Sequence, residues 1–164
     1  MVLVVRINSI RCVYCDGACS PNPGVGGWAA ILISLAHQGA RREISGAEAG
    51  STNNRMELTA AVKALDALKW PCAVQLMTDS EYLKKVFTEG WLAKWQRNGW
   101  RTAARQPVAN VDLWAELARL AVIHNVSWRW VWGHADDELN NQCDFLAVQA
   151  RAALAHALSK QRHV

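Results

Sequence analysis

No apolar run in this chain approaches the roughly 18 residues that a membrane-spanning helix needs, so no such helix is expected. Repeats, low-complexity tracts and Pro/Gly/Ser-rich linkers are also missing, which excludes a solenoid or a string of domains. Cysteines number five, an odd count that argues against a disulfide framework. Cys12, Cys15 and Cys19 crowd together, but no second Cys or Cys/His pair with zinc-ligand spacing follows. Cys12 and Cys15 stand three apart in a strand-like segment and point to opposite faces, so buried free thiols are expected. Charge of either sign is modest: 18 Lys and Arg against 14 Asp and Glu give +4 and a pI near 8.9. That balance permits a polyanionic partner without demanding one. The opening Met1-Val2-Leu3-Val4-Val5 is too short for a secretory signal and ends at Arg6, so a cytoplasmic location is expected.

The 164 residues are 51% hydrophobic and 20% charged, enough to bury one core. Arg11 to Asp16 reads as a strand, and Ser20 to Gly27 as a turn. Trp28 to Leu35 and Arg41 to Ser45 read as two more strands. Thr52-Asn53-Asn54 offers N-cap residues to a helix running to about Lys69, and a strand covers Val74 to Thr78. Asp79-Ser80 caps a further helical stretch, Asn98-Gly99 stops a tryptophan-bearing helix, and Asn110 opens another running to about His124. Val126 to Trp132 is a strand with Val126, Trp128, Trp130 and Trp132 on one face. A last helix spans about Asn140 to about His156. Short early connections suit hairpins and later helical crossovers require parallel pairing, so the fold class is α/β with a mixed five-stranded sheet flanked by helices.

Gly24-Val25-Gly26-Gly27-Trp28-Ala29 fits a dinucleotide-binding fingerprint, but a strand rather than a helix follows it, which removes the phosphate-binding helix terminus. The placement of acids is more informative. Asp16 and Asp79 each end a strand, where ligand sites of α/β sheets lie. Glu57 shares a helix face with Ala60, Ala61, Ala64 and Leu68, a face that should be core. Asp144 precedes the apolar Phe145-Leu146-Ala147. Singly each has an ordinary explanation: turn or cap for Asp16 and Asp79, a capping box with Asn54 for Glu57, the helix dipole for Asp144. Together they place four like charges near one sheet edge, which calls for a compensating cation. Hard oxygen donors suit Mg²⁺ or Mn²⁺, and two such ions roughly 4 Å apart support phosphodiester cleavage.

Tyr14 to Ser20, Asn22-Pro23-Gly24, Gly26-Gly27-Trp28, Thr52 to Leu58, Thr78-Asp79-Ser80, Trp132 to Ala135 and Asn140 to Ala147 together resemble type 1 ribonuclease H, most closely the bacterial enzymes. The resemblance runs from about Arg11 to Arg151. It implies the ribonuclease H-like fold and hydrolysis of the RNA strand of RNA/DNA hybrids, leaving 5′-phosphate and 3′-hydroxyl ends. It gives metal-ligand roles to Asp16, Glu57, Asp79 and Asp144, and a proton-transfer or product-release role to His134. It also implies a catalytic domain at 11–156 with a basic protrusion at 91–109, a preceding extension at 1–10 and a tail at 157–164. The enzyme is expected to act as a monomer with no obligatory protein partner and no membrane.

An enzyme specific for RNA must detect the 2′-hydroxyl. Asn22, Asn53 and Asn54 are short donor–acceptor side chains that resemble the family's minor-groove contacts. Trp91 and Trp95 share a helix face with cations between them. In this segment Trp91 and Trp100 are candidates for nucleic-acid contact, with Lys94, Arg97, Arg101 and Arg105 at phosphates. Gly50 stands where relatives often carry an arginine, so a DNA-phosphate pocket rests on Thr52 with Asn98. Asp136-Asp137-Glu138 makes the loop after His134 acidic, and the protrusion carries fewer lysines than many relatives. A hybrid-binding module without catalysis and a resolvase or transposase domain are the alternatives.

Overall fold

A computed structural model describes residues 10–35, 38–132 and 137–162. Three strands lead: β1 (Ile10–Cys19), β2 (Gly24–Ser34) and β3 (Ala40–Ser51). Then come α1 (Asn53–Asp66), β4 (Ala73–Thr78), α2 (Glu81–Thr88), α3 (Trp91–Asn98), α4 (Val111–Ile123), β5 (Asn125–Trp130) and α5 (Glu138–Gln161). The sheet order is β3-β2-β1-β4-β5. The hairpin-linked pairs β1–β2 and β2–β3 are antiparallel. The pairs β1–β4 and β4–β5 are parallel, because helices carry the chain back between them.

Alternation along the strands feeds two cores. Val13, Cys15, Leu32, Val74 and Leu76 face α1 and α4, meeting Leu58, Ala61, Leu65, Trp114 and Leu117. On the other face Ala29 and Ile31 pack against Cys143 and Ala147 of α5. A Cβ at Gly17 would lie 2.3 Å from the backbone nitrogen of Glu57, so only glycine lets α1 cross β1 this closely. All five cysteines are free, with Cys15 and Cys143 buried. Among the described residues no helix is long and apolar enough to cross a membrane.

Several boundaries differ from the sequence reading, each for a physical reason. β1 continues past Asp16, because Gly17, Ala18 and Cys19 still pair with Trp28, Gly27 and Gly26 after β4 has left at the Tyr14–Met77 pair. β3 extends to Ser51 although Gly46 to Gly50 carries no apolar pattern; the Trp28 ring lies directly over Gly46, replacing the missing side chains. α5 begins at Glu138, where the Asp137 carboxylate accepts from the backbone N–H groups of Leu139 and Asn140 at 3.1 Å each. It runs past His156 to Gln161, as its alanine-rich sequence favours. β5 stops at Trp130, so Trp132 leaves the strand face and is 76% exposed. Residues 1–9 of the extension and the segment 133–136, with His134, lie outside the described residues.

Gly17→Ala drives a methyl into the backbone of α1. The expected result is a melting temperature lower by several degrees and a loss of activity larger than the stability change explains, because Glu57 moves with its helix. Thermal denaturation followed by circular dichroism, beside turnover well below the transition, checks both parts.

Candidate active site

Four elements carry the four acids, and Asp79, Asp144 and Glu57 each act electrostatically on Asp16. β1 and β4 run parallel in register up to Tyr14 opposite Met77, and two residues further stand Asp16 on one strand and Asp79 on the other. Gly17 against Met56 and Glu57 seats the start of α1 beside them. Cys143 Sγ lies 3.2 Å from the carbonyl of Ala29 and 3.6 Å from that of Tyr14, which pins α5 to β1 and β2 one residue before Asp144. Asp144 sits in the second turn of α5, so the helix dipole does not explain it. The capping box of Glu57 with Asn54 does not form: Thr52 is the N-cap, its hydroxyl accepting from the Arg55 N–H at 3.2 Å, and Glu57 accepts instead from the Ser80 hydroxyl.

Burial and mutual repulsion dominate the electrostatics. Asp16 is 8% exposed. Its carboxyl is pushed up to about 8, first by desolvation and then by Asp79, against the opposing Gly17 N–H at 2.7 Å, with Asp144 and Glu57 adding to the rise. Glu57 is pushed up to about 7 by desolvation, with Asp79 adding and the Ser80 hydroxyl resisting. Among the described residues no Lys or Arg pairs with any of the four.

The donor set suits a hard divalent cation. Carboxylate oxygens without a partner cation are what such an ion seeks. Asn140, 2% exposed, donates its Nδ2 to Asp79 at 3.3 Å and keeps a buried Oδ1 with no partner among the described residues. Among those residues no three His, Cys, Asp or Glu side chains converge tightly enough to cage an ion.

Beside the acids, the asparagine loops interlock. Asn22 Oδ1 accepts from the Asn53 N–H at 3.2 Å, and Asn53 Oδ1 accepts from the Cys19 N–H at 2.9 Å. Asn54 stands exposed in the first turn of α1. α3 and the loop after it carry the segment expected to form the protrusion. The Trp91 and Trp95 rings meet at a tilt of 52° with 5.9 Å between centroids, and both lie half-buried against the core, as does Trp100. Lys94, Arg97, Arg101 and Arg105 are all exposed.

The RNase H family model matches residues 8–152 of the chain. A ribonuclease H of Moorella thermoacetica is 56% identical over 142 residues, 87% of this chain and 91% of that protein. One from Symbiobacterium thermophilum is 54% identical over 141 residues, 86% and 94% of the two chains. The solved structure of LC9-RNase H1, a type 1 ribonuclease H with the type 2 active-site motif, matches with a TM-score of 0.77 at 29% identity, over 89% of this chain and 74% of that one. The chain belongs to the ribonuclease H family. It is an endoribonuclease, a hydrolase of the class that cleaves the RNA strand of RNA/DNA hybrids.

Within this ribonuclease H, the expected pairing of Thr52 with Asn98 is not what the fold provides. Asn98 closes the end of α3, donating to the Arg101 carbonyl at 2.8 Å and accepting from the Arg101 N–H at 2.9 Å. The residue that shares a hollow with Thr52 is Asn110, together with Arg55 and Gly50. Asn110 reads as a helix cap in the sequence, yet its side chain makes no capping bond and its φ is +57°. Its amide donates to the Tyr82 hydroxyl at 3.3 Å and accepts from Arg55 at 3.4 Å. Ser80 and Asn140, which hold Glu57 and Asp79, were also missed as site residues. Ser80 reads as a cap, a duty it does perform for Leu83, and nothing in the polar run around Asn140 singles it out before the fold buries it.

The raised acids fix the sign of a pH effect. A carboxyl whose pKa is higher folded than unfolded binds protons more tightly in the fold. Their contribution to stability is therefore fully present below the ordinary carboxylate range and is lost as pH rises through about 7 for Glu57 and about 8 for Asp16. In chelator, Asp16→Asn is expected to gain several degrees in melting temperature over the wild type between pH 5 and pH 8.5, and Mg²⁺ to narrow that gap. Melting curves at both pH values check this, and a gap independent of pH counts against it.

Proposed function

We propose that Asp16, Glu57, Asp79 and Asp144 hold two divalent cations, Mg²⁺ with Mn²⁺ as substitute, for cleavage that leaves 5′-phosphate and 3′-hydroxyl ends. The observation that carries this is a group of four acids, two of them with strongly raised pKa, that no Lys or Arg of the described residues neutralises. Bound there, the cations supply an activated water, polarisation of the scissile phosphate and stabilisation of the leaving oxygen.

The chain's own residues do the positioning. The Ser80 hydroxyl orients Glu57, the Asn140 amide orients Asp79, and the Gly17 N–H fixes Asp16. Such supporting bonds hold ligand carboxylates to the fraction of an ångström that catalysis needs. Asn22, Asn53 and Asn54 read the RNA strand at its 2′-hydroxyls. Their interlocked bonds keep the loop rigid while leaving each amide N–H₂ outside those contacts. Thr52 and Asn110 take a DNA phosphate in the hollow they share. Trp91 and Trp100 offer faces to the substrate, and Lys94, Arg97, Arg101 and Arg105 meet phosphates. His134 moves the proton or assists product release, a role its near-neutral imidazole suits. The solved structure of LC11-RNase H1 contains an RNA/DNA hybrid, which is the partner proposed for this chain. The protein acts as a cytoplasmic monomer.

The direct test is a labelled RNA/DNA hybrid with Mg²⁺ or Mn²⁺, with duplex RNA and duplex DNA as controls. Cleavage of the hybrid alone is expected, and binding without cleavage under both metals would leave only a binding module. Asp79→Asn should lower kcat by at least about a thousandfold while the far-ultraviolet spectrum is retained. Replacing Arg97 or Lys94 by Ala should weaken hybrid binding uniformly across sequences and reduce the slope of log K against log salt by about one each. A salt titration of binding, run in Ca²⁺ to hold off cleavage, reads that slope.

A further inference from the structure

At the far end of the sheet from the acids lies a cavity that the reaction does not use. Arg11 pairs with Ser34 across β1–β2. Asp16 stands five residues further along β1, roughly 17 Å away at the rise of a strand. The hollow, about 260 Å³, opens between the end of α1 and the β2–β3 hairpin. Arg11, Arg41, Arg42 and Lys69 line it, and among the described residues no acid does. Arg41 is engaged by Glu43. Among the described residues Arg11, Arg42 and Lys69 form no ion pair.

Two residues that line this hollow each bury a donor atom without a partner among the described residues, Arg11 Nε and Ser34 Oγ. Ser34 is 3% exposed, so its hydroxyl has no ready exchange with bulk water. Native folds leave few such groups, and two bordering one cavity is a sign of a missing acceptor. The remaining walls are apolar, from Leu32, Ala67 and Leu68, while Trp70 stands at the rim with 73% of its surface exposed. At about 30 Å³ per water the space equals roughly nine waters, more than a bare oxyanion fills.

We propose that this cavity binds a nucleoside monophosphate. Its phosphate accepts from Arg11 and Ser34, with Arg42 and Lys69 adding charge, and its base rests on Trp70. The last carbonyls of α1 point toward this end, so the helix dipole opposes the anion and the three free cations must outweigh it. The site is remote from the acids, and its failure would leave the reading of the active site untouched.

Isothermal titration of the full chain with AMP, in chelator so that no metal bridges ligand to the acids, tests this. Inorganic phosphate and adenosine are the comparison ligands, and Ser34→Ala, Arg42→Gln and Trp70→Ala the variants. The expected result is one saturable site for AMP, with phosphate and adenosine at least tenfold weaker. Each variant should weaken AMP at least fivefold and cleave hybrid at the wild-type rate. Ser34→Ala should keep or raise the melting temperature, since its hydroxyl has no partner to lose; a merely structural serine would lower it. No saturation, equal affinity for phosphate or adenosine, or unchanged affinity in all three variants overturns the proposal.

Discussion

Like charge held out of water is the constraint around which this molecule is arranged. Asp16 sits almost wholly buried with Asp79, Asp144 and Glu57 for company, and the described residues bring no cation to it. Burial and crowding therefore hold the Asp16 and Glu57 carboxyls back from ionising, because uncompensated buried charge is among the costliest features a protein can carry. The strain falls where two parallel strands part. There β1 continues alone with β2 while β4 turns into the Asp79–Ser80 corner.

Holding such a group in place demands stiff surroundings. Small residues supply part of the stiffness: Gly17 lets α1 lie on β1, and the alanines of α1 let the helix approach the sheet. Hydrogen bonds supply the rest. Ser80 both caps α2 and binds Glu57, so the corner after β4 and the first turns of α1 are tied through one hydroxyl. Asn140 stands one turn before Asp144 on the same face of α5 and reaches Asp79, which ties the last helix to the fourth strand.

A second network centres on Arg55. Arg55 meets Asp112 through both its Nη atoms, at 2.9 and 3.1 Å, and Glu48 through Nε at 3.2 Å. It thereby joins the end of β3, the start of α1 and the start of α4. Tyr82 completes the link, accepting from Asn110 and from Trp114 Nε1, the latter at 2.8 Å. Trp114 in turn packs edge-on to Trp95 at 5.8 Å. The protrusion is therefore built on the core, and its tryptophans serve packing and surface together, since a large ring buries one edge and shows the other.

The strands, the helices, their order and the mixed pairing were all legible in the residues, because alternation, caps and connection lengths are local properties. Four acids in unusual positions were legible too, since a carboxylate on an apolar helix face or at a strand end stands out without a structure. What the chain by itself left open is whatever depends on two distant segments meeting. Asn110 looked like a cap and Asn98 like a phosphate ligand until the fold set Asn110 beside Thr52 and turned Asn98 toward its own loop. Ser80 and Asn140 gained their second duties only when α1, β4 and α5 converged. Glu57 makes no capping box because Thr52 rather than Asn54 caps α1, which puts Glu57 past the third helical position and leaves it to accept from Ser80. Sequence fixes which groups a chain carries and how each segment bends; which of them share a few ångströms is decided by packing, for side-chain chemistry acts at contact distance and contact is a tertiary property.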